Sequence, residues 1–362
     1  MTSDVLTATT ASPLLSETAD RSFTMVEAFS QRLSLARLMM IVLVVYVHFP
    51  LEMPEVRSIA EVSLLEPAFI ANATVLRFSV TILTIMSGFI MFAKGGDRLG
   101  MRTIWKKVRT LVVPFLFFNL TLVAALCVAQ RLGLLSGQRL DLLAADTATW
   151  ADATLAWSTR PVNYPLYFLR DLFVISVIAV IASPLIRRAV LVAIAAAVLI
   201  ADFNLDANLI LRTPMLVAFL IGAALAIYKV PLDLADKGLP WFAVTLILAC
   251  FAHFYAPTET TGLLVNILGG LTVWTFTALV AKSMLLQRLA GFAGFAFPIY
   301  LIHGIILFGF LAVGLEISET YTGLLLWLVL PLIVALISAL SFQIFRTISP
   351  RLANFVTGGR GA

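Results

Sequence analysis

The sequence predicts an all-α, polytopic membrane helix bundle of about ten transmembrane helices, on three observations. Only 12% of the residues are charged and 61% are hydrophobic, where soluble domains carry about a quarter charged residues. Apolar runs of membrane-crossing length recur from end to end, giving a mean hydropathy of +1.01. The basic residues are segregated. Of 25 Lys and Arg, Arg37, Arg77 and Arg170 fall inside apolar runs, and Arg57, Arg131, Arg139, Arg160 and Arg212 fall in connections on one side. The other seventeen fall on the opposite side. Basic residues accumulate in cytoplasmic loops, so both termini are expected inside. The net charge of +5 therefore marks topology, and no nucleic-acid partner is expected.

The elements follow in order. Residues 1–30, rich in Ser, Thr, Ala and acidic side chains, read as a disordered cytoplasmic tail. Residues 31–346 form one transmembrane domain, with spans near 34–50, 74–92, 111–130, 165–183, 189–203, 211–228, 240–255, 262–281, 295–314 and 322–344. The run at 189–203 is the shortest and ends in Asp202. Residues 347–362 read as a cytoplasmic C-terminal tail. Cys127 and Cys250 both lie in apolar segments, which gives neither metal-ligand spacing nor a disulfide framework; no metal is expected.

The first span carries the densest functional signal. Ten apolar or aromatic residues separate Arg37 from His48. Eleven helical steps come within about 20° of whole turns, so both side chains share a face about 16 Å apart along the axis. Ionisable groups inside a bilayer mark functional paths, although a snorkelling Arg and an interfacial His account for the same pattern.

Four further clusters stand out. The second span closes with Ser87-Gly88-Phe89, small residues that suit close helix packing. Lys94, Arg98, Arg102, Lys106, Lys107 and Arg109 follow, leading into Pro114, a cluster that suits phosphates as well as topology. The fourth span opens Tyr167-Phe-Leu-Arg170-Asp171. Adjacent helical residues project about 100° apart, so Arg170 and Asp171 are each expected to need another partner. The ninth span contains Phe297-Pro298-Ile299-Tyr300-Leu301-Ile302-His303. The connection 131–164 also sets Asp141, Asp146 and Asp152 beside Trp150, Trp157 and Tyr164, residues that suit a sugar or an interfacial anchor.

In this order the clusters resemble the acyltransferase-3 family of integral membrane acyltransferases across about residues 32–345. The Arg37-x10-His48 pair is the most specific part. Ser87-Gly88-Phe89, the basic run into Pro114, the start of the fourth span and Ile299-Tyr300-Leu301-Ile302-His303 support it. Tyr167 to Phe173 and His48-Phe49-Pro50 look most like the branch that succinylates succinoglycan-type exopolysaccharides. A closely spaced Arg pair after the second span in relatives is matched here by Arg98 and Arg102.

The resemblance implies a multi-pass protein of the bacterial cytoplasmic membrane. It would move a succinyl or acetyl group from cytoplasmic acyl-CoA to a hydroxyl of an exported glycan or lipid-linked oligosaccharide, beside other polysaccharide-assembly proteins. His48 is then the expected catalytic residue, because a base near neutrality must take the hydroxyl proton. Arg37, Arg98, Arg102, Lys106 and Arg109 are the expected donor-binding residues. Arg77, Tyr167, Arg170 and Asp171 are expected on the acceptor side, with Ser87, Gly88, Tyr300 and His303 in support.

Two rivals use the same residues differently. Charges along a bundle interior also build transporters and flippases, but these usually repeat their broken helices in two halves. His303 has Phe292, not Arg, eleven residues before it. A non-catalytic assembly subunit would make no use of the aligned Arg and His.

Overall fold

A computed structural model describes residues 13–49, 71, 75–133, 141–203, 205–207, 209–280, 283, 284, 288, 291–312 and 321–360, with side chains from Ser30 onward. Residues 1–12, Pro50 and the connection after it, with Arg57, and Arg139 lie outside the described residues. The described residues are helical without any strand. The helices are α1 (Pro13–Val47), α2 (Phe78–Ala93), α3 (Met101–Arg131), α4 (Thr147–Leu155), α5 (Tyr167–Ile181), α6 (Ser183–Arg188) and α7 (Val190–Asp202). After them come α8 (Pro214–Ile227), α9 (Leu239–Tyr255), α10 (Glu259–Val280), α11 (Ala296–Ala312), α12 (Tyr321–Ile348) and α13 (Pro350–Val356).

Among the described residues, five segments are long and apolar enough to cross a membrane: Ser30–Val47, Met101–Arg131, Tyr164–Ile181, Gly291–Phe310 and Leu324–Ile348. Shorter apolar helices at Phe78–Ala93, Val190–Asp202, Pro214–Ile227, Leu239–Tyr255 and Leu264–Leu279 match the other apolar runs of the sequence. α1 reaches back to Pro13, into the segment expected to be disordered. Extending an existing helix avoids the cost of nucleating a new one, so residues with modest propensity can join it.

α1 is the central helix and packs against α2, α10, α11 and α12. Ala36, Met40 and Val44, with Ile41 and Val45 beside them, are buried at four-residue spacing along one side. α2 crosses α8 at close range through two glycines. A Cβ on Gly88 would run into the backbone carbonyl of Phe219, and one on Gly222 would meet the carbonyl of Ile85. Gly88 thus supports the fold by allowing backbone approach.

α3 bends in its middle for an identifiable reason. Pro114 has no N–H and its ring crowds the preceding carbonyls, and the helix widens to a π turn at Val108–Val112 just before it. Thr110 Oγ1 donates to Lys106 O at 2.9 Å within that stretch. The turn after α2 is tied to α6 by a buried carboxylate. Asp97 accepts from Arg187 Nε at 2.6 Å, Arg187 Nη2 at 2.7 Å and Ser183 Oγ at 2.6 Å.

The connection between α3 and α5 uses its carboxylates internally. Asp146 caps α4 by accepting from Thr149 N at 2.8 Å, and Asp141 accepts from Leu143 N at 3.0 Å. Asp152 accepts from Ser158 N at 2.6 Å and Thr159 N at 3.1 Å. All three carboxylates thus help to build the connection itself. Asn119 on α3 anchors the connection, donating to Ala153 O at 2.7 Å and accepting from Asn163 N at 2.9 Å.

Candidate active site

Two histidines from distant parts of the chain meet at one end of the bundle. His48 follows the last turn of α1 and keeps its backbone bond to Val44 O. His303 lies on α11, fully buried, with its ring centroid 5.5 Å from that of His48. His48 Nδ1 is 2.7 Å from Val44 O, and His303 Nδ1 is 2.8 Å from Tyr300 O. A carbonyl only accepts, so each Nδ1 carries the proton and each Nε2 keeps a lone pair. His303 Nε2 is buried with no hydrogen-bond partner among the described residues. Both rings thus hold the tautomer that a base acting through Nε2 requires.

Tyr164 lies against His48, edge to face at 5.3 Å between centroids. Its hydroxyl accepts from Arg212 Nη2 at 3.1 Å, and the Arg160 guanidinium stands 4.8 Å over its ring. Arg212 also lies 5.6 Å over the ring of Tyr167. Arg77, exposed in the short 3-10 turn before α2, and Arg212 place positive charge within electrostatic reach of His48.

A cavity of about 800 Å³ opens toward the other end of α1. Its polar part is lined by five cations, Arg37, Lys94, Lys106, Lys107 and Arg360, and by no Asp or Glu among the described residues. Its deeper part is apolar, lined by Ile41, Leu83, Met86, Phe168, Leu172, Phe297 and Tyr300 among others. Tyr300 forms the wall nearest the histidines, with its hydroxyl donating to Pro165 O at 2.5 Å. From that wall the rings run on without a gap. Phe297 stacks on Tyr300 at 6.4 Å, Tyr300 meets His303 at 5.9 Å, and His303 meets His48.

A family model described as an acyltransferase domain, acyltransferase 3, matches residues 31–346. This chain belongs to that acyltransferase family. The succinoglycan biosynthesis protein ExoH of Rhizobium meliloti (strain 1021) is 25% identical over 344 residues, covering 91% of this chain and 92% of the relative. No solved structure matches the chain at a significant level.

In this acyltransferase the expected site residues divide into those that meet a common space and those that do not. Arg37, Lys106, Ser87 and Tyr300 line the cavity, while His48 and His303 pair beyond its end wall. Arg98, Arg102 and Arg109 are exposed and outside the lining. Helical spacing explains the split: Thr103, Lys106, Lys107 and Thr110 share the face of α3 turned to the cavity, and Arg102 and Arg109 lie off it.

Arg170 and Asp171 each find the further partner that helical spacing asked for, and they also bond each other, which that spacing did not lead one to expect. Arg170 Nη1 bonds Asp171 Oδ1 at 2.9 Å, because the long guanidinium arm bends back over its own backbone. The buried Asp171 carboxylate also accepts from Leu211 N at 3.1 Å and Arg212 N at 2.9 Å. Arg170 donates in addition to Leu209 O and Trp157 O. Together the pair fixes the connection before α8 and so aims Arg212 at Tyr164.

The sequence offers Lys94 and Lys107 within the basic cluster that suits phosphates, and Tyr164 among the aromatics of the connection 131–164, but it does not offer Arg212 or Arg360 as members of the site. For Lys107 the signal was present in its place one step beyond Lys106 on the cavity face of α3. No local pattern points to Arg212 or Arg360, whose positions depend on how distant segments return to the bundle.

Proposed function

We propose that this acyltransferase moves a succinyl or acetyl group from cytoplasmic acyl-CoA to a hydroxyl of an exported or lipid-linked glycan during exopolysaccharide biosynthesis. The observation that carries the reading is the pairing of a cation-lined cavity with two histidines whose Nε2 atoms are free to accept. Phosphates of the donor suit the guanidinium and ammonium groups of Arg37, Lys94, Lys106 and Lys107, and the pantetheine arm suits the apolar depth ending at Tyr300. The likeness to a succinoglycan biosynthesis protein of Rhizobium supports the polysaccharide context.

In the proposed step His48 Nε2 takes the proton of the acceptor hydroxyl as its oxygen attacks the thioester carbonyl carbon. The carbon–sulfur bond breaks, the ester forms, and the imidazolium returns its proton to the departing thiolate. His303 holds the His48 ring in position from the α11 side. Arg77 and Arg212 supply positive charge as the carbonyl oxygen becomes an oxyanion. The cavity lining ends at Tyr300 and includes neither histidine, so in this step the thioester end of the donor passes Tyr300 to meet His48, away from the bulk water of the cavity mouth.

Mass spectrometry of exported glycans from cells with and without this gene tests the reading. Loss of a succinyl or acetyl ester on deletion, restored by the intact gene, is the expected result. Glycans of identical acylation in both strains would reject it.

A further inference from the structure

The segment from α13 to Arg360 is built against the bundle and reaches the cavity wall. After α13 the backbone turns through Gly358 and Gly359, both in the left-handed region at φ 62° and 81°. Gly358 N bonds Phe355 O at 3.1 Å and Gly359 N bonds Asn354 O at 2.9 Å, closing the helix end. The turn packs tightly on the π turn of α3. A Cβ on Gly358 would come within 2.7 Å of Thr110 Cα and 2.8 Å of Arg109 O. Ala353, Val356 and Thr357 are buried in the same contact. The described part of the segment that reads in sequence as a cytoplasmic tail is therefore docked, and only glycine fits its closest point.

The docking delivers one side chain to the cavity. The Arg360 guanidinium stands 4.8 Å over the ring of Phe297, the residue that stacks on Tyr300. Arg37 lines the same space from α1, and the two charges repel each other across it. Enclosure by the surrounding cavity walls first, and then the Arg37 charge, draw Arg360 down to about 10 even though the side chain stays open to the cavity space, so it remains a cation at neutral pH. Neither guanidinium has an ion-pair partner among the described residues, and both are exposed where they line the cavity. Two like charges held together with no carboxylate among the described lining residues are an arrangement that a bound polyanion relieves.

We propose that Arg360 is a donor-binding residue, which with Arg37 forms a two-guanidinium clamp on phosphate groups of the acyl donor, the docked C-terminal turn serving as one wall of the donor site. The assignment of acyl-CoA as that donor rests on the reading above, so the test carries two probes. Binding of CoA and of inorganic pyrophosphate is measured by calorimetry on the purified full chain in detergent, for the wild type, Arg360→Ala, Arg360→Lys and Arg351→Ala. Arg351 is exposed on α13 and lies outside the cavity lining, which makes it the control for loss of charge alone.

Arg360→Ala should weaken both probes by roughly 10- to 100-fold, as expected for losing a charge-assisted contact. Arg360→Lys should recover only part of that, and Arg351→Ala should bind as the wild type does. Equal binding of both probes by Arg360→Ala and the wild type would overturn the clamp, as would an equal loss in Arg351→Ala. If the wild type bound pyrophosphate but not CoA, and Arg360→Ala lost the pyrophosphate, the phosphate role of Arg360 would stand and the CoA reading would fall. A wild type that bound neither probe would overturn both.

Discussion

His303 and His48 face each other at 5.5 Å with both Nδ1 atoms committed to backbone carbonyls. One carbonyl belongs to the turn that ends α1 and the other to α11, so each helix fixes the tautomer of its own histidine. The consequence is a pair of acceptor nitrogens, with Tyr164 against His48 on one side and Tyr300 between His303 and the cavity on the other.

The pair predicts a pattern of losses. His48→Ala should leave the protein inserted and abundant while acyl transfer falls by roughly 10² to 10⁴, the usual cost of removing a general base. His48→Gln should fare no better, since an amide hydrogen-bonds but accepts no proton at neutral pH. His303→Ala should cost less, and the double variant should be little worse than His48→Ala, because groups that act as a unit are not additive. Transfer rates at matched expression check this. Normal acylation by His48→Ala would sink the mechanism.

How much of this was legible in the sequence depends on how local each feature is. The Arg37 to His48 spacing, the apolar runs and the Gly88 crossing follow from helix geometry and burial, and all can be read from neighbouring residues. The family assignment also came from ordered motifs along the chain. The His48–His303 pairing was out of reach because it depends on which helices become neighbours. The bond between Arg170 and Asp171 was out of reach too, since backbone direction says little about where a long side chain ends. Arg360 sits at the end of a segment whose composition gives no sign of docking.

Arg37 is expected to act through its planar fork. Arg37→Lys should restore little of the activity lost in Arg37→Ala, because an ammonium offers a point charge where two parallel hydrogen bonds are needed. The loss should appear chiefly as a raised donor requirement, measured as the donor concentration for half-maximal transfer. Full acylation by Arg37→Lys with unchanged donor dependence would leave Arg37 as a snorkelling side chain and nothing more.

The charge segregation makes a prediction about orientation that is separate from the chemistry. Reporter fusions after Lys107 and after Arg346 should both register as cytoplasmic, and one near Asp146 should register outside. The donor cavity then opens inside and the histidines lie toward the exported glycan. A cytoplasmic signal from the connection between α3 and α5 would invert the bundle and put donor and acceptor on the wrong sides.

The Asp97–Arg187 pair should give the protein an acid-sensitive lock. Burial pushes the Asp97 carboxyl up, but the hydrogen bonds from Arg187 and Ser183 and the Arg187 charge outweigh it, holding the group below its ordinary 3.8. A carboxyl depressed in the folded state contributes stability in full above its unfolded value and loses it as the pH falls through the folded one. Asp97→Asn keeps the shape and removes the charge, leaving Arg187 without its partner. Breaking such a buried pair costs about 3 kcal/mol, the low end of the usual range because Arg187 is partly exposed. Thermal unfolding in detergent should therefore separate wild type from Asp97→Asn clearly at pH 7. The gap should close as the pH drops below the ordinary carboxyl value, where the wild-type pair is itself lost. A gap of constant size through that window would mean that Asp97 stabilises the turn by packing and neutral hydrogen bonds, with no contribution from its charge.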